Sequence, residues 1–347
     1  MTDRMKGIPR SPRMDGSGMK AMQIRCVVLA GGVGAAKFVE GLARVADPSR
    51  LTIISNTGDD VELHGLWISP DVDTMLYTLA GIADPDKGWG IRGDTFETLD
   101  ALGRLGEETW FWLGDRDLAT HLFRTRLRAE GRMATAITRR IAKRLGVCAT
   151  VLPMTDGSVR TMVRTTQGDL PFQEYFVKHA CLPDVVDVRF EGAESSVPSP
   201  DVLRAIESAD VIVIAPSNPI ASIGPILALP GICHALKSAR APKIAVSPLV
   251  GGRSIKGPSD RMMSAKGFSP DAIGVANYYR GLIDGLVIDR LDVAREPSIR
   301  TLGLDVLVTD TLLTSADRKT ALAKETIEWA NTFHDQHRHS RQKPVLC

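Results

Sequence analysis

The chain contains no CxxC pair and no apolar run of the roughly 18–20 residues that spanning a bilayer requires. Charge of one sign is also scarce in excess: 43 Lys and Arg face 41 Asp and Glu, a formal net charge of +2. The five cysteines (Cys26, Cys148, Cys181, Cys233, Cys347) are scattered and odd in number, which argues against a disulfide framework or a structural zinc site and suits a reducing cytoplasm. Near-neutral charge gives no reason to expect nucleic-acid or membrane partners, so any anion site must come from particular residues. Residues 1–21 carry Lys6, Arg10 and Arg13 but no apolar h-region, so they read as a disordered extension and not a secretory signal, with Met19 and Met22 as candidate starts. With 44% hydrophobic and 24% charged residues over 347 positions, the remainder is ordinary globular material.

What is present is a regular alternation. Ile24–Ala30 is a short β-branched apolar run, followed by Gly31-Gly32-Val33-Gly34, an amphipathic stretch to Val45, and Leu51–Ser55. Strand, glycine turn, helix and strand in that order predict the first unit of a parallel sheet. Helical patterns follow near 71–83 and 94–105. Residues 117–146 alternate apolar and basic positions at helical spacing, which places Arg124, Arg126, Arg128, Arg139, Arg140 and Arg144 mostly on a solvated face. Strands are expected at 149–154, 161–165, 185–190, 211–215, 243–247, 286–289 and 306–309, with a terminal helix over 317–333. The expected fold is α/β, a doubly wound, mainly parallel, Rossmann-like sheet with a smaller inserted α+β region. One domain over 22–333 is expected, carrying the insert at about 117–200, with a disordered tail over 334–347.

Ligands of such sheets sit beyond the carboxyl ends of the strands, and five segments there carry chemistry. Gly31, Gly32 and Gly34, with Lys37 after them, form a strand-to-helix turn where backbone amides can approach a phosphate. The turn lacks the Gly-Lys-Ser/Thr ending of a Walker A loop and the spacing of the dinucleotide fingerprint, which disfavours a nicotinamide dehydrogenase. Asp59 and Asp60, adjacent at the end of the second strand, are costly unless solvated or neutralised, and suit a hard divalent ion such as Mg²⁺. In Ser69-Pro70-Asp71-Val72-Asp73, helix capping accounts for Asp71, and Asp73 falls in the first turn. Leu113–His121 offers a compact cluster around Arg116, which could orient a hydroxyl or phosphate or simply satisfy itself as a cap. Ser217, Asn218, Ser222 and Gly224 belong to a proline-stiffened polar loop suited to a base or phosphate edge. Gly251, Gly252 and Lys256 repeat that logic after the next strand.

Read together, LAGGVGAAKF, SNTGDD, SPDVDT, LGDRDLATH, PSNPIASIGP and SPLVGG resemble the 2-phospho-L-lactate transferase family of coenzyme F-420 biosynthesis over about Ile24 to Thr314. The resemblance implies a cytoplasmic transferase. It would move a phospholactyl or phosphoenolpyruvyl group from a guanosine diphosphate-activated donor to the 5′-hydroxyl of the deazaflavin FO, with Mg²⁺ and release of GMP. It implies that Gly31–Lys37 and the 217–225 loop hold the nucleotide, that Asp59 and Asp60 serve the metal and the chemistry, and that Asp73 and Arg116 face the deazaflavin. The partners are then small molecules, neither nucleic acid nor membrane. The acid of the donor (lactate, enolpyruvate or glycerate) and the oligomeric state stay open, a homodimer being the working expectation. The runner-up is a non-catalytic nucleotide-sugar-binding regulator of the gluconeogenesis-factor type, which shares the glycine-rich start.

Overall fold

The computed structural model describes residues 22–340. Its strands, in chain order, are β1 (Cys26–Ala30), β2 (Leu51–Ser55), β3 (Val61–Leu63), β4 (Leu66–Ile68), β5 (Thr150–Pro153), β6 (Arg160–Thr165), β7 (Gly168–Pro171), β8 (Val185–Glu191), β9 (Val211–Ile214), β10 (Lys243–Val246), β11 (Leu249–Val250), β12 (Arg253–Ser254), β13 (Gly285–Asp289) and β14 (Asp305–Thr309). Seven of them form one sheet in the order β14-β13-β10-β9-β1-β2-β5, and every neighbouring pair is parallel. Along β1 the side chains of Cys26, Val28 and Ala30 join one hydrophobic layer while Val27 and Leu29 join the other. Both faces of the sheet are thus covered, the pattern of a doubly wound α/β fold.

The chain runs outward from β1 through β2 to β5, then returns to β9 on the other side of β1. That reversal opens a crevice at the carboxyl ends of β1 and β9, where a doubly wound sheet takes its ligands. Five helices matter for what enters it: α1 (Gly32–Val45), α2 (Pro70–Leu79), α3 (Glu97–Arg104), α4 (Asp117–Ala129) and α5 (Ala134–Arg144). The helix over 317–333 runs from Ala316 to Ser340, so the first residues of the expected tail are helical; those after Ser340, like the extension before Met22, lie outside the described residues.

The expected insert over 117–200 divides in two. β5 pairs with β2 and belongs to the main sheet, whereas β6, β7 and β8 form a separate antiparallel sheet. β7 was not anticipated, because its Gly168-Asp169-Leu170-Pro171 sequence carries little strand propensity and pairs through its register with β6. The three-stranded sheet reaches the crevice through β6, where the Thr161 amide donates to the Gly58 carbonyl at 2.7 Å. No single helix among the described residues is long and apolar enough to cross a membrane.

The buried face of α1 packs on the C-terminal helix at Gly41. A Cβ at Gly41 would stand 2.0 Å from the Lys319 carbonyl oxygen, a backbone atom that cannot step aside. Gly41→Ala should therefore lower stability by about 1–3 kcal/mol despite alanine's better helix propensity. A urea midpoint equal to or above the wild type would contradict that packing.

Candidate active site

One cleft of about 600 Å³ lies over the carboxyl ends of β1, β2, β9 and β10. Its floor is the start of α1. Gly31 donates its amide to the Ser217 hydroxyl at 3.2 Å, and Gly32 donates to the Asp71 carboxylate at 2.8 Å. Glycine is needed here for close approach. A Cβ at Gly31 would meet Asp71 Oδ2 at 2.6 Å, and one at Gly34 would meet the Pro216 carbonyl at 2.4 Å. Gly34 therefore seats α1 against the loop after β9 as well as lining the cleft.

The carboxylates sort themselves by what they touch. Asp71 was expected to cap α2; instead Ser69 holds the cap position, and Asp71 reaches across to Gly32 and to the Asn56 side-chain amide, 2.9 Å away. Two residues on, about 200° around the helix at roughly 100° per residue, Asp73 faces α4. Asp59 is buried, and its Oδ1 has no hydrogen-bond partner. Burial pushes the Asp59 carboxyl well above its ordinary range, with the nearby Asp71 adding to the effect. Burial likewise raises Asp71 to about 6. Two buried carboxylates that no cationic side chain among the described residues pairs, set beside the first turn of α1, are the donor set a hard cation shared with phosphate oxygens would complete. Among the described residues no cluster of three or more His, Cys, Asp or Glu stands ready to hold a metal by itself, so substrate oxygens would supply the remaining positions.

Of the residues singled out in the sequence, Gly31, Gly32, Gly34, Lys37, Asp59, Asp73, Ser217, Asn218, Ser222 and Lys256 line this cleft. Within it, Asn218 spends its carbonyl oxygen on the Ile220 and Ala221 amides, which fixes the turn after β9. Lys37 is a half-buried lysine whose charged form is disfavoured by burial and by Lys319 and Lys256, so an incoming anion would be welcome there.

Five of the expected site residues lie outside this lining. Asp60 turns away from the cleft lining and accepts from Trp67 Nε1 at 2.9 Å and from the Ser69 hydroxyl at 2.8 Å. Arg116 is exposed and donates to the Arg92 carbonyl; the cluster around it is a pair of caps, with Asp94 accepting from the Arg116 and Asp117 amides and Asp115 from those of Glu97 and Thr98. Gly224 is in the core, against Phe190 and Tyr278. Gly251 and Gly252 make the positive-φ turn between β11 and β12, with the Gly251 amide held by Asp292 at 2.8 Å. Their hairpin delivers Lys256 to the cleft without lining it.

Sequence reasoning also missed a good part of the wall. Phe172 and Phe176 stack at 5.5 Å, and Trp89, Phe111 and Trp112 add further aromatic rings to the lining. These rings come from separate segments, so no local pattern joins them. Arg124, expected on a solvated face, is buried against Asp73, with His121, Asp117 and Tyr77 alongside. The signal that could have found it is helical spacing: Asp117, His121 and Arg124 fall at i, i+4 and i+7, on one stripe of α4.

The family model described as 2-phospho-L-lactate transferase CofD matches residues 26–312. Over 313 residues the chain is 40% identical to a phosphoenolpyruvate transferase of Streptomyces griseus, covering 88% of this chain and 98% of that one. It is 38% identical over 301 residues to a 2-phospho-L-lactate transferase of Methanococcoides burtonii, covering 87% and 98%. Among solved structures, a Bacillus halodurans protein superposes with a TM-score of 0.61 at 17% identity, covering 88% of this chain and all of that one, a likeness of fold alone.

Proposed function

Since the chain belongs to the 2-phospho-L-lactate transferase family CofD, and is a transferase of coenzyme F-420 biosynthesis, we propose that its cleft joins a guanosine diphosphate-activated phospholactyl or phosphoenolpyruvyl group to the 5′-hydroxyl of FO and releases GMP. The observation that carries the reading is the meeting, in one cleft, of the α1 amides, the unpartnered Asp59 oxygen and a wall of aromatic rings. The first two suit a nucleotide diphosphate with a cation; the third suits a flat tricyclic ring.

In this reading the diphosphate lies over the start of α1, between Lys37 and Lys256, with Ser217 and Ser222 at its edge. Mg²⁺, when bound by Asp59 and Asp71, would withdraw charge from the phosphate oxygens. Transfer of this kind needs in-line positioning and charge neutralisation more than a covalent nucleophile. The acceptor's ring stacks on Phe172 and Phe176, which brings its hydroxylated chain toward the carboxylates. Attack of the 5′-hydroxyl on the phosphorus bound to the acid forms the new P–O bond and expels GMP, the hydroxyl proton passing to a carboxylate or water.

Incubating the protein with FO, Mg²⁺ and the competing activated acids, and weighing the products, tests the reading. A product of FO plus the phospho-acid together with GMP supports it. Binding of a nucleotide sugar with no turnover of any donor would favour a regulator instead. Phe176→Ala should raise KM for FO about tenfold and leave KM for the donor near the wild-type value, because stacking on one ring contributes roughly 1–3 kcal/mol. Equal effects on both substrates would remove the ring from the acceptor's side.

A further inference from the structure

The cleft holds two kinds of carboxylate. No ion pair among the described residues reaches Asp59 or Asp71; Asp71 accepts from neutral amides, and one Asp59 oxygen has no partner. Asp73 is different. The Arg124 guanidinium grips it with both terminal nitrogens, Nη1 donating to Oδ2 at 2.8 Å and Nη2 to Oδ1, and both side chains are almost wholly buried. His121 braces the pair, its Nδ1 standing 3.3 Å from Arg124 Nη1 and 3.7 Å from Asp73 Oδ2. The other ring nitrogen lies 3.3 Å from Asp117, which accepts the Tyr77 hydroxyl at 2.5 Å. Asp73 and His121 both line the cleft, while Arg124 stands behind them.

A bidentate guanidinium supplies the counter-charge and occupies one lone pair on each carboxylate oxygen, leaving one on each for another donor. Taking FO as the acceptor, which rests on the reading above, we propose that Arg124 is a positioning residue that divides the labour of the carboxylates. By neutralising and orienting Asp73 it withholds that group from the metal, which stays with Asp59 and Asp71. Asp73 is then kept for hydrogen bonds from neutral donors of the acceptor, its hydroxyls or a ring N–H. Lysine would keep the charge but not the planar fork that fixes both oxygens.

The test uses the full chain with GDP and Mg²⁺ present. Arg124→Lys should weaken FO binding about tenfold, the loss of one well-placed hydrogen bond, while affinity for GDP changes by less than about twofold. Asp73→Asn combined with Arg124→Lys should bind FO no more weakly than Asp73→Asn alone, because one residue acts through the other. Arg124→Gln, which leaves the Asp73 charge exposed to the cleft, should take up one more Mn²⁺ per chain than the wild type when titrated with Mn²⁺ alone. If Arg124→Gln melts below the assay temperature, Arg124→Lys and the double variant decide the matter. FO affinity unmoved by Arg124→Lys, or losses that simply add, would overturn the role given to Arg124. A wild-type protein that binds GDP with Mg²⁺ but not FO would instead remove the acceptor reading itself.

Discussion

Asp59→Asn is expected to lower kcat by roughly 10²–10³-fold, the scale of removing one group that stabilises developing charge at a closed site. Asp59 lines the cleft with an oxygen that no protein group satisfies, so a carboxamide there removes charge where a cation would be held. The neighbouring Asp60 is the contrast. It also has an unpartnered oxygen, Oδ1, but it stands outside the cleft lining with its Oδ2 taken by Trp67 and Ser69, so Asp60→Asn should cost less than about tenfold, acting through the shape of the loop and not through the metal. Rates of GMP release across a Mg²⁺ titration separate the two. A wild-type rate and unchanged Mg²⁺ dependence in Asp59→Asn would contradict the assignment.

The second large effect is on stability against pH. Burial raises the folded-state affinity of Asp71 for a proton to a pKa of about 6 and of Asp60 to about 7, and pushes Asp59 upward too. A carboxyl whose folded pKa is raised binds more protons folded than unfolded. Its contribution is complete below pH ~4 and is lost as pH rises through the folded pKa. For Asp71, a shift from 3.8 to about 6 corresponds to about 3 kcal/mol lost by pH 8. Groups such as Asp47, held down by the Ser49 hydroxyl and amide, and Asp187, held down by Lys266, act in the opposite sense and lose their contribution as pH falls below their unfolded values. The metal-free protein should therefore be most stable near pH 5 and soften between pH 6 and 8. Added Mg²⁺ should raise Tm more at pH 8 than at pH 5.5, since the cation replaces the protons. Asp71→Asn should flatten the slope. Calorimetric scans showing metal-free Tm rising steadily from pH 5.5 to 8 would refute the buried, uncompensated pair.

What sequence could reveal here was local. Continuous apolar runs in β1 and β9, the Gly31–Gly34 turn and the Pro216–Pro219 bend each state their own conformation, and a parallel sheet with its crevice follows from them. Gly31, Ser217 and Asp59 could be placed at strand ends for that reason. What escaped depends on distant partners. Asp71 looks like a cap because aspartate is a favoured residue at a helix start, and its actual partner, the Gly32 amide, is 39 residues away. Arg124 looks like its exposed neighbours Arg126 and Arg128 until α2 brings Asp73 against it. Around Arg116 the polar cluster that suggests a ligand in the sequence spends Asp94 and Asp115 on the caps of α3 and α4, and Arg116 itself stands outside the cleft lining.

The most direct test is a crystal structure with GDP and Mn²⁺, the ion located by its anomalous signal. Its β-phosphate should lie against the first turn of α1, with the ion between that phosphate and Asp59. A diphosphate bound away from the start of α1, or an ion held by Asp60 with Asp59 uninvolved, would show that the cleft is assembled for something else.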